Sequence, residues 1–158
     1  MNTYAAPPTA PTLDVHGPPA RRPARVLVLF EPTASGAAAL RAAAQRSDEG
    51  SQLTVVTLAP QSVQPRCCAR GPSVEVVNCV VREEAESELR SAREILGDAA
   101  GRVTFRSLVG SQDPPIGVWA AGQAFELIFL PKRRLAFGGH PLARRLRRAT
   151  SAELRLVG

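Results

Sequence analysis

The sequence predicts an α/β domain: an open parallel sheet of five strands, in the order 3-2-1-4-5, with helices on both faces. Strand-length apolar segments alternate along the chain with helical segments, which indicates right-handed β–α–β crossovers. Residues 25–30 and 126–130 each carry a continuous apolar run. Such runs are typical of strands covered on both faces, so we predict that these two strands lie side by side in the centre.

Size and composition fit a single domain. The chain has 158 residues, and 44% of them are hydrophobic, which is enough for a substantial core. No apolar run approaches the roughly 20 residues of a membrane span, and the first residues carry no apolar signal segment. We therefore expect a cytoplasmic protein without a membrane partner.

Residues 1–24 are predicted to form a disordered or extended arm that precedes a domain of residues 25–158. Proline fixes its own backbone torsion and cannot donate a backbone hydrogen bond, so a proline-rich segment disfavours regular helix and strand. The prolines of this segment are Pro7, Pro8, Pro11, Pro18, Pro19 and Pro23.

The first half of the domain is predicted as strand, helix, strand and helix. After the strand of residues 25–30, Thr33 or Ser35 is a candidate cap for a helix that runs to about Arg46. Residues 53–58 are rich in β-branched side chains and are predicted to form the second strand. Residues 61–81 allow no assignment, and residues 74–81 fit either a strand or the beginning of the next helix. From Arg82 a helix is clear, because Ala85 and Leu89 begin an apolar stripe with helical spacing.

The second half continues the alternation. Residues 103–109 alternate as the third strand, and Asp113 is predicted to cap a helix with Pro114 at its first position, ending near Phe125. The fourth strand, a helix over residues 141–150 and a short last strand from Leu154 to Val157 complete the pattern. Trp119 and Phe125 are expected in the core.

Positive charge is concentrated near the C-terminus. The net charge of the chain is +6, but residues 131–158 alone sum to +7, because eight cations there face a single acid, Glu153. Four of the cations, Arg144, Arg145, Arg147 and Arg148, are predicted to point outward from the last helix. A solvated helix face explains them better than a nucleic-acid site, since few aromatic side chains lie nearby for stacking.

The cysteines do not predict a metal site or a disulfide framework. Cys67, Cys68 and Cys79 have no C-x-x-C spacing, and both histidines, His16 and His140, are distant in sequence. Ordinary reduced thiols are the simplest interpretation.

The most informative segment is the passage from the fourth strand to the last helix. In open α/β sheets a ligand sits beyond the carboxyl ends of the strands where the winding direction reverses, which here means the ends of the first and fourth strands. Gly139 and His140 precede a helix N-terminus, and Arg133 and Arg134 add positive charge, so an anion site is possible. The alternative is that the glycines only make the turn.

Several segments in this order resemble the universal stress protein family over residues 25–158. They are VLVLFEPT, REEAESELRSAREILGDA, the strand ending at Gly110 with the helix leading to Phe125, and GHPLARRLRRA. The resemblance implies an adenine-nucleotide-hydrolase-like fold. Nucleotide-binding members carry G-x2-G-x9-G-[S/T].

This chain departs from that nucleotide motif. Pro131 and Arg134 stand at the first two glycine positions, and Gly139-His140 closes a loop about five residues too short. Glu31 stands where the family has an aspartate. The resemblance therefore implies a nucleotide or anion site at Glu31, Thr33, Arg133, Arg134, Gly139 and His140, with weak or lost ATP binding and no required cofactor.

The resulting expectation is a non-catalytic regulatory protein of universal stress type that acts through protein contacts. Glu31 and Asp113 lack the accompanying residues of an acid–base site. The last strand offers an open sheet edge, so a homodimer through Leu154 to Val157 is predicted. A nucleic-acid- or ribosome-associated module and an ATP-binding universal stress protein with a shortened loop are the alternatives.

Overall fold

The computed structural model describes residues 24–48, 50–60, 73–110, 112–132 and 140–158. These residues form one sheet in the order β3-β2-β1-β4-β5, in which every pair of neighbouring strands is parallel. The elements are β1 (Arg25–Leu29), α1 (Ala34–Asp48), β2 (Gln52–Ala59), α2 (Val74–Leu96), a 3-10 segment (Gly97–Arg102), β3 (Thr104–Val109), α3 (Ile116–Gly122), β4 (Leu127–Pro131), α4 (Pro141–Ala149) and β5 (Glu153–Val157).

The predicted fold class and strand order are confirmed. Strand β1 lies between β2 and β4, with Val26 opposite both Leu53 and Leu127. Nearly all of β1 and β4 is buried, as their continuous apolar character predicts. Of the predicted arm, only Ala24 belongs to the described residues.

Each face of the sheet has its own core. Val26, Val28 and Phe30 of the first strand region pack with α1 and α2 on one face. Leu27 and Leu29 point the other way and pack with α3 and α4. This alternation follows from the two-residue period of a strand, and it places helices on both faces as predicted.

Helix α2 resolves the ambiguity over residues 74–81. It begins at Val74, because Ser73 is its N-cap and accepts a hydrogen bond from the Val76 N–H at 3.4 Å. Val76 and Val80 are exposed on this helix, so the β-branched run there does not indicate a buried strand. A polar cap and the continuing helix outweigh local strand propensity.

The predicted role of Asp113 as a helix cap is wrong. Helix α3 begins only at Ile116, after Pro115, and ends at Gly122, before Phe125. The Asp113 carboxylate instead accepts the Val109 N–H at 2.8 Å and pairs with Arg106. It therefore closes the turn after β3, a role that only the tertiary arrangement reveals.

The remaining core predictions are mostly confirmed. Trp119 and Phe125 are buried, with ring centroids 5.6 Å apart. On α4, Leu146 is fully buried and Ala143 accompanies it in the core. The four arginines of α4 are exposed, as predicted. No helix in the described part of the chain is long and apolar enough to cross a membrane.

Candidate functional site

A cleft of about 360 Å³ opens at the carboxyl edge of the sheet, beside the ends of β1 and β4. The strand order reverses at this point, since β1 leads toward β2 while β4 leads toward β5. The predicted site residues Glu31, Thr33 and His140 all line the cleft. Arg133, Arg134 and Gly139 lie outside the described residues.

Thr33 begins helix α1 at the mouth of the cleft. Its Oγ1 accepts the Gly36 N–H at 3.0 Å, and its carbonyl accepts the Ala37 N–H at 2.9 Å. These are the hydrogen bonds of an N-cap, so of the two predicted caps Thr33 rather than Ser35 is used. The Thr33 N–H donates to the Glu31 carbonyl at 2.7 Å, which fixes the turn between β1 and α1.

Gly36 makes this turn possible. A Cβ atom at this position would lie 1.9 Å from the Glu31 carbonyl oxygen, much closer than any side-chain contact allows. Only glycine lets the first turn of α1 approach the end of β1 so closely. Sequence reasoning missed this residue, although a glycine in the first turn of a helix is a signal because it weakens the helix.

His140 is the N-cap of α4. Its Nδ1 accepts the Ala143 N–H at 3.3 Å, so the neutral ring carries its proton on Nε2. Nε2 is buried and has no hydrogen-bond partner within the described residues. The side chain that the sequence suggested for anion binding thus lines the cleft and caps α4, while its Nε2 is enclosed.

Glu88 of α2 is a cleft residue that sequence reasoning missed. Burial raises the pKa of its carboxyl, and the negative charges of Glu31 and Glu84 raise it further. Glu88 lies three residues after Ala85 and one before Leu89, both of which are buried. Charged residues commonly border an apolar helix stripe, so the sequence alone does not single out Glu88.

The rest of the described lining is mainly apolar. Pro131 is the last residue of β4, is buried, and has no N–H to donate to a ligand. The strand therefore extends one residue further than the sequence indicates. The other apolar lining residues are Leu29, Phe30, Pro32, Leu58, Pro60 and Leu142.

The described residues contain no group of three or more His, Cys, Asp or Glu side chains that could hold a metal ion. Asp113 is not among the cleft residues, so it is not brought together with Glu31. Cys79 is exposed and unbridged on α2, whereas Cys67 and Cys68 lie outside the described residues.

Comparison with family models gives no match for this chain, and comparison with curated proteins gives none either. Solved structures do match. A universal stress protein family member from Burkholderia pseudomallei superposes with a TM-score of 0.61 at 18% sequence identity, covering 85% of this chain and 95% of the other.

Two further matches were solved with nucleotides. A universal stress protein in complex with cAMP has a TM-score of 0.59 at 17% identity, covering 85% of this chain and 97% of its own. The universal stress protein from Archaeoglobus fulgidus in complex with dAMP has a TM-score of 0.61 at 18% identity, covering 87% and 98%. These comparisons show that the chain has the fold of the universal stress proteins.

Proposed function

We propose that this protein is a non-catalytic regulatory protein of universal stress type, which binds a small ligand in the cleft between β1 and β4 but binds ATP weakly. The observation that carries this proposal is the character of the cleft. It lies at the switch point of the sheet, yet its described lining combines two carboxylates, Glu31 and Glu88, with Pro131, which has no N–H.

Charge explains the weak ATP binding. A phosphate site normally combines several backbone N–H groups with positive potential, whereas Glu31 and Glu88 contribute negative potential to this cleft. The mutual effect of these two carboxylates is already visible in the raised pKa of Glu88. A triphosphate therefore meets more repulsion here than a ligand with one phosphate or none.

The apolar walls favour a flat, ring-containing ligand. Cyclic AMP and dAMP, the ligands of two structural matches, each carry one flat purine base and one phosphate. His140 and Glu31 both line this cleft, so its described lining has polar as well as apolar side chains. We propose a nucleotide or nucleoside of this size as the ligand.

Calorimetry tests this proposal. We expect a Kd for Mg-ATP above about 100 μM, and tighter binding of dAMP or adenosine. Glu88→Gln should strengthen ATP binding severalfold, because it removes a like charge from the cleft. Glu94→Gln, which removes an exposed carboxylate of the same helix outside the cleft, should leave it unchanged. Low-micromolar ATP binding by the wild type, abolished by Gly139→Val, would contradict the proposal.

The exposed arginines of α4 support a second candidate function, which is nucleic-acid binding. Arginines late in a helix also complement its dipole, so their presence alone does not require a partner. RNA binding that weakens steeply with added salt, and that Arg147→Gln with Arg148→Gln reduces, would favour this function over the first. Binding that is absent at physiological salt would exclude it.

A further inference from the structure

A second cleft, also of about 360 Å³, lies at the amino edge of the same sheet. Its floor is formed by the first halves of β1, β2 and β3, and its wall by α3 and the turn after it. It shares no described lining residue with the cleft at the carboxyl edge. The two clefts are therefore separate features of the molecule.

Strand register explains why the floor is polar. Arg25 lies opposite Gln52, and Thr54 lies opposite Thr104, so these side chains share one face of the sheet. This face packs against α3 and α4. Leu27 and Val56 lie two residues after Arg25 and Thr54, respectively, so they point to the same side, and both belong to that core. Further along β3, Arg106 lies opposite Val56 and points to the same side.

Helices α3 and α4 do not cover the beginnings of β2 and β3 on this face of the sheet. The core on this side contains only Val56 from β2 and Leu108 from β3. The preceding residues with the same orientation, Gln52, Thr54 and Thr104, are polar. Apolar side chains on this uncovered part of the sheet would be exposed to water, so polar residues are expected here. Uncharged polar residues would meet that requirement, so it does not explain the arginines.

Two arginines are held in place by aromatic rings. The Arg25 guanidinium lies 5.5 Å from the Phe125 ring centroid and donates to the Gln123 carbonyl and to Gln123 Oε1. The Arg106 guanidinium lies 5.5 Å from the Trp119 ring centroid. Such contacts fix the planes of the guanidinium groups, which reduces the entropy lost when they bind a ligand.

The charge of this cleft is positive. Arg25, Arg102 and Arg106 line it, and no described carboxylate does. Arg106 is paired with Asp113, whereas Arg25 donates to the uncharged carbonyl and side-chain amide of Gln123. A guanidinium has five N–H groups, so both side chains keep donor capacity beyond these bonds.

Trp119 supplies an independent observation. Its side chain belongs to a residue that is only 8% exposed, it lines the cleft, and its Nε1 has no hydrogen-bond partner within the described residues. Because this N–H is enclosed, a ligand in the cleft would contact the indole ring rather than Nε1. Such a contact would change the surroundings of the ring, so Trp119 can report binding in the cleft.

We propose that this cleft at the amino edge is a binding site for a small organic anion, in which a phosphate or carboxylate is held by Arg25 and Arg106. Guanidinium groups bind both anions through paired hydrogen bonds, and Thr54 and Thr104 add hydroxyl donors. Phe125 and Trp119 provide an apolar wall for the remainder of the ligand. This site lies beyond the function proposed for the carboxyl edge and does not depend on it.

Intrinsic fluorescence gives a direct test, because Trp119 is the single tryptophan of the chain. Titration of the full chain with phenyl phosphate should change the Trp119 emission in a saturable way, while sodium chloride at equal ionic strength should not. Benzoate in a parallel titration distinguishes a carboxylate site from a phosphate site. An emission change that only follows ionic strength, or none with either probe, would overturn the proposal.

Variants separate a built site from diffuse charge. Arg106→Gln should weaken binding of the effective probe by about tenfold, as expected for the loss of a charge-assisted hydrogen bond. Arg147→Gln removes the same charge from the exposed face of α4 and should leave binding unchanged. Thr104→Glu places a carboxylate at an exposed floor position, so it should abolish binding without removing a core contact. Equal loss in Arg147→Gln, or unchanged binding in Thr104→Glu, would contradict a site at this place.

Discussion

At the scale of single residues, the carboxyl-edge cleft depends on a glycine that contacts no ligand. Gly36 allows α1 to begin directly against the Glu31 carbonyl. That contact fixes the backbone of Glu31, from which its side chain extends into the cleft lining. The chain thus gives up helix propensity in the first turn of α1 in exchange for a close approach. A residue can therefore define a site through the space that it leaves empty.

Gly36→Ala should destabilise the protein by about 3 kcal/mol, because the new methyl group must displace backbone rather than a flexible side chain. Gly122→Ala is the matched control, since a Cβ atom there meets nothing within 4 Å. It should be neutral or stabilising by up to about 1 kcal/mol. Urea denaturation measures both, and equal effects of the two variants would show that the turn relaxes freely.

Glu88 gives a prediction about pH. Its pKa in the folded protein is raised above 4.5, so the folded state binds its proton more tightly than the unfolded state does. Stability is therefore lost as the pH rises through the folded pKa. Glu88→Gln should raise the stability at pH 7 by about 0.5 kcal/mol, or Tm by about 2 °C, since the group is only partly buried.

The gain from Glu88→Gln should fade as the pH falls through 4.5 and vanish well below it, where the wild-type carboxyl is protonated in both states. Thermal melts across this range measure the difference. A gain that is constant with pH would mean that shape or hydrogen bonding, rather than charge, causes the effect.

At the scale of elements, the turn between β3 and α3 is held by one carboxylate. Asp113 accepts the Val109 N–H and pairs with Arg106, whose guanidinium also lies over Trp119 of α3. Asp113 thus links two positions of β3, and Arg106 extends the connection to the following helix. These bonds lower the pKa of Asp113 below 3.8. The hydrogen bond from the Val109 N–H has the larger effect, and the one from Arg106 the next.

Asp113→Asn should therefore destabilise the protein at pH 7 by about 1 kcal/mol, because the amide keeps one acceptor but loses the ion pair. A lowered pKa contributes stability above its unfolded value, and that stability is lost as the pH falls through the folded pKa. The difference between wild type and variant should thus shrink below pH 3.8. Asp98→Asn, at an exposed position, is the control, and an equal effect there would point to net charge alone.

The elements also differ in how far the sequence determines them. Strands β1 and β4 were predictable because double-sided burial requires apolar residues on both faces. The beginning of α2 was not, since Val74, Val76 and Val77 favour a strand locally, whereas the Ser73 cap decides for a helix. Glu88 reaches the cleft only because α2 crosses over β2, which no local pattern encodes.

At the scale of the whole molecule, one sheet carries a cleft at each edge, with opposite charge character. The carboxyl-edge cleft has two carboxylates among its described residues, and the amino-edge cleft has three arginines. In a parallel sheet the strand ends of each kind are gathered at one edge, so different residue types can accumulate separately.

The open edge at β5 remains a predicted dimer contact. Among the described strands, β5 pairs only with β4, and Leu156 is 45% exposed. Like charges across a two-fold axis would oppose pairing of two β5 strands. The charge of Arg155 is, however, met within its own strand, because its Nε donates to Glu153 Oε1 at 2.8 Å. This pair weakens the objection to a self-complementary edge.

Hydrogen bonds show which backbone groups face the open edge. Glu153 donates its N–H to Glu126, and the Val157 carbonyl accepts from Lys132, so residues 153 and 157 point toward β4. Because backbone groups alternate along a strand, the N–H groups of Leu154 and Leu156 point away from it. Leu156→Pro therefore removes a donor from the open edge without removing one from the ladder to β4.

We predict a homodimer at about 50 μM that Leu156→Pro converts largely to monomer, because the two-fold ladder loses a bond in each copy. Light scattering measures the mass, and far-UV circular dichroism confirms that the variant is folded. Leu156→Ala is the matched control: it keeps the N–H and shortens the side chain, so it should weaken the dimer less than proline does. A wild-type monomer, or a dimer that proline leaves intact, would show that the β5 edge is not the contact. If alanine and proline weaken the dimer equally, the exposed side chain rather than the backbone ladder holds the two copies together.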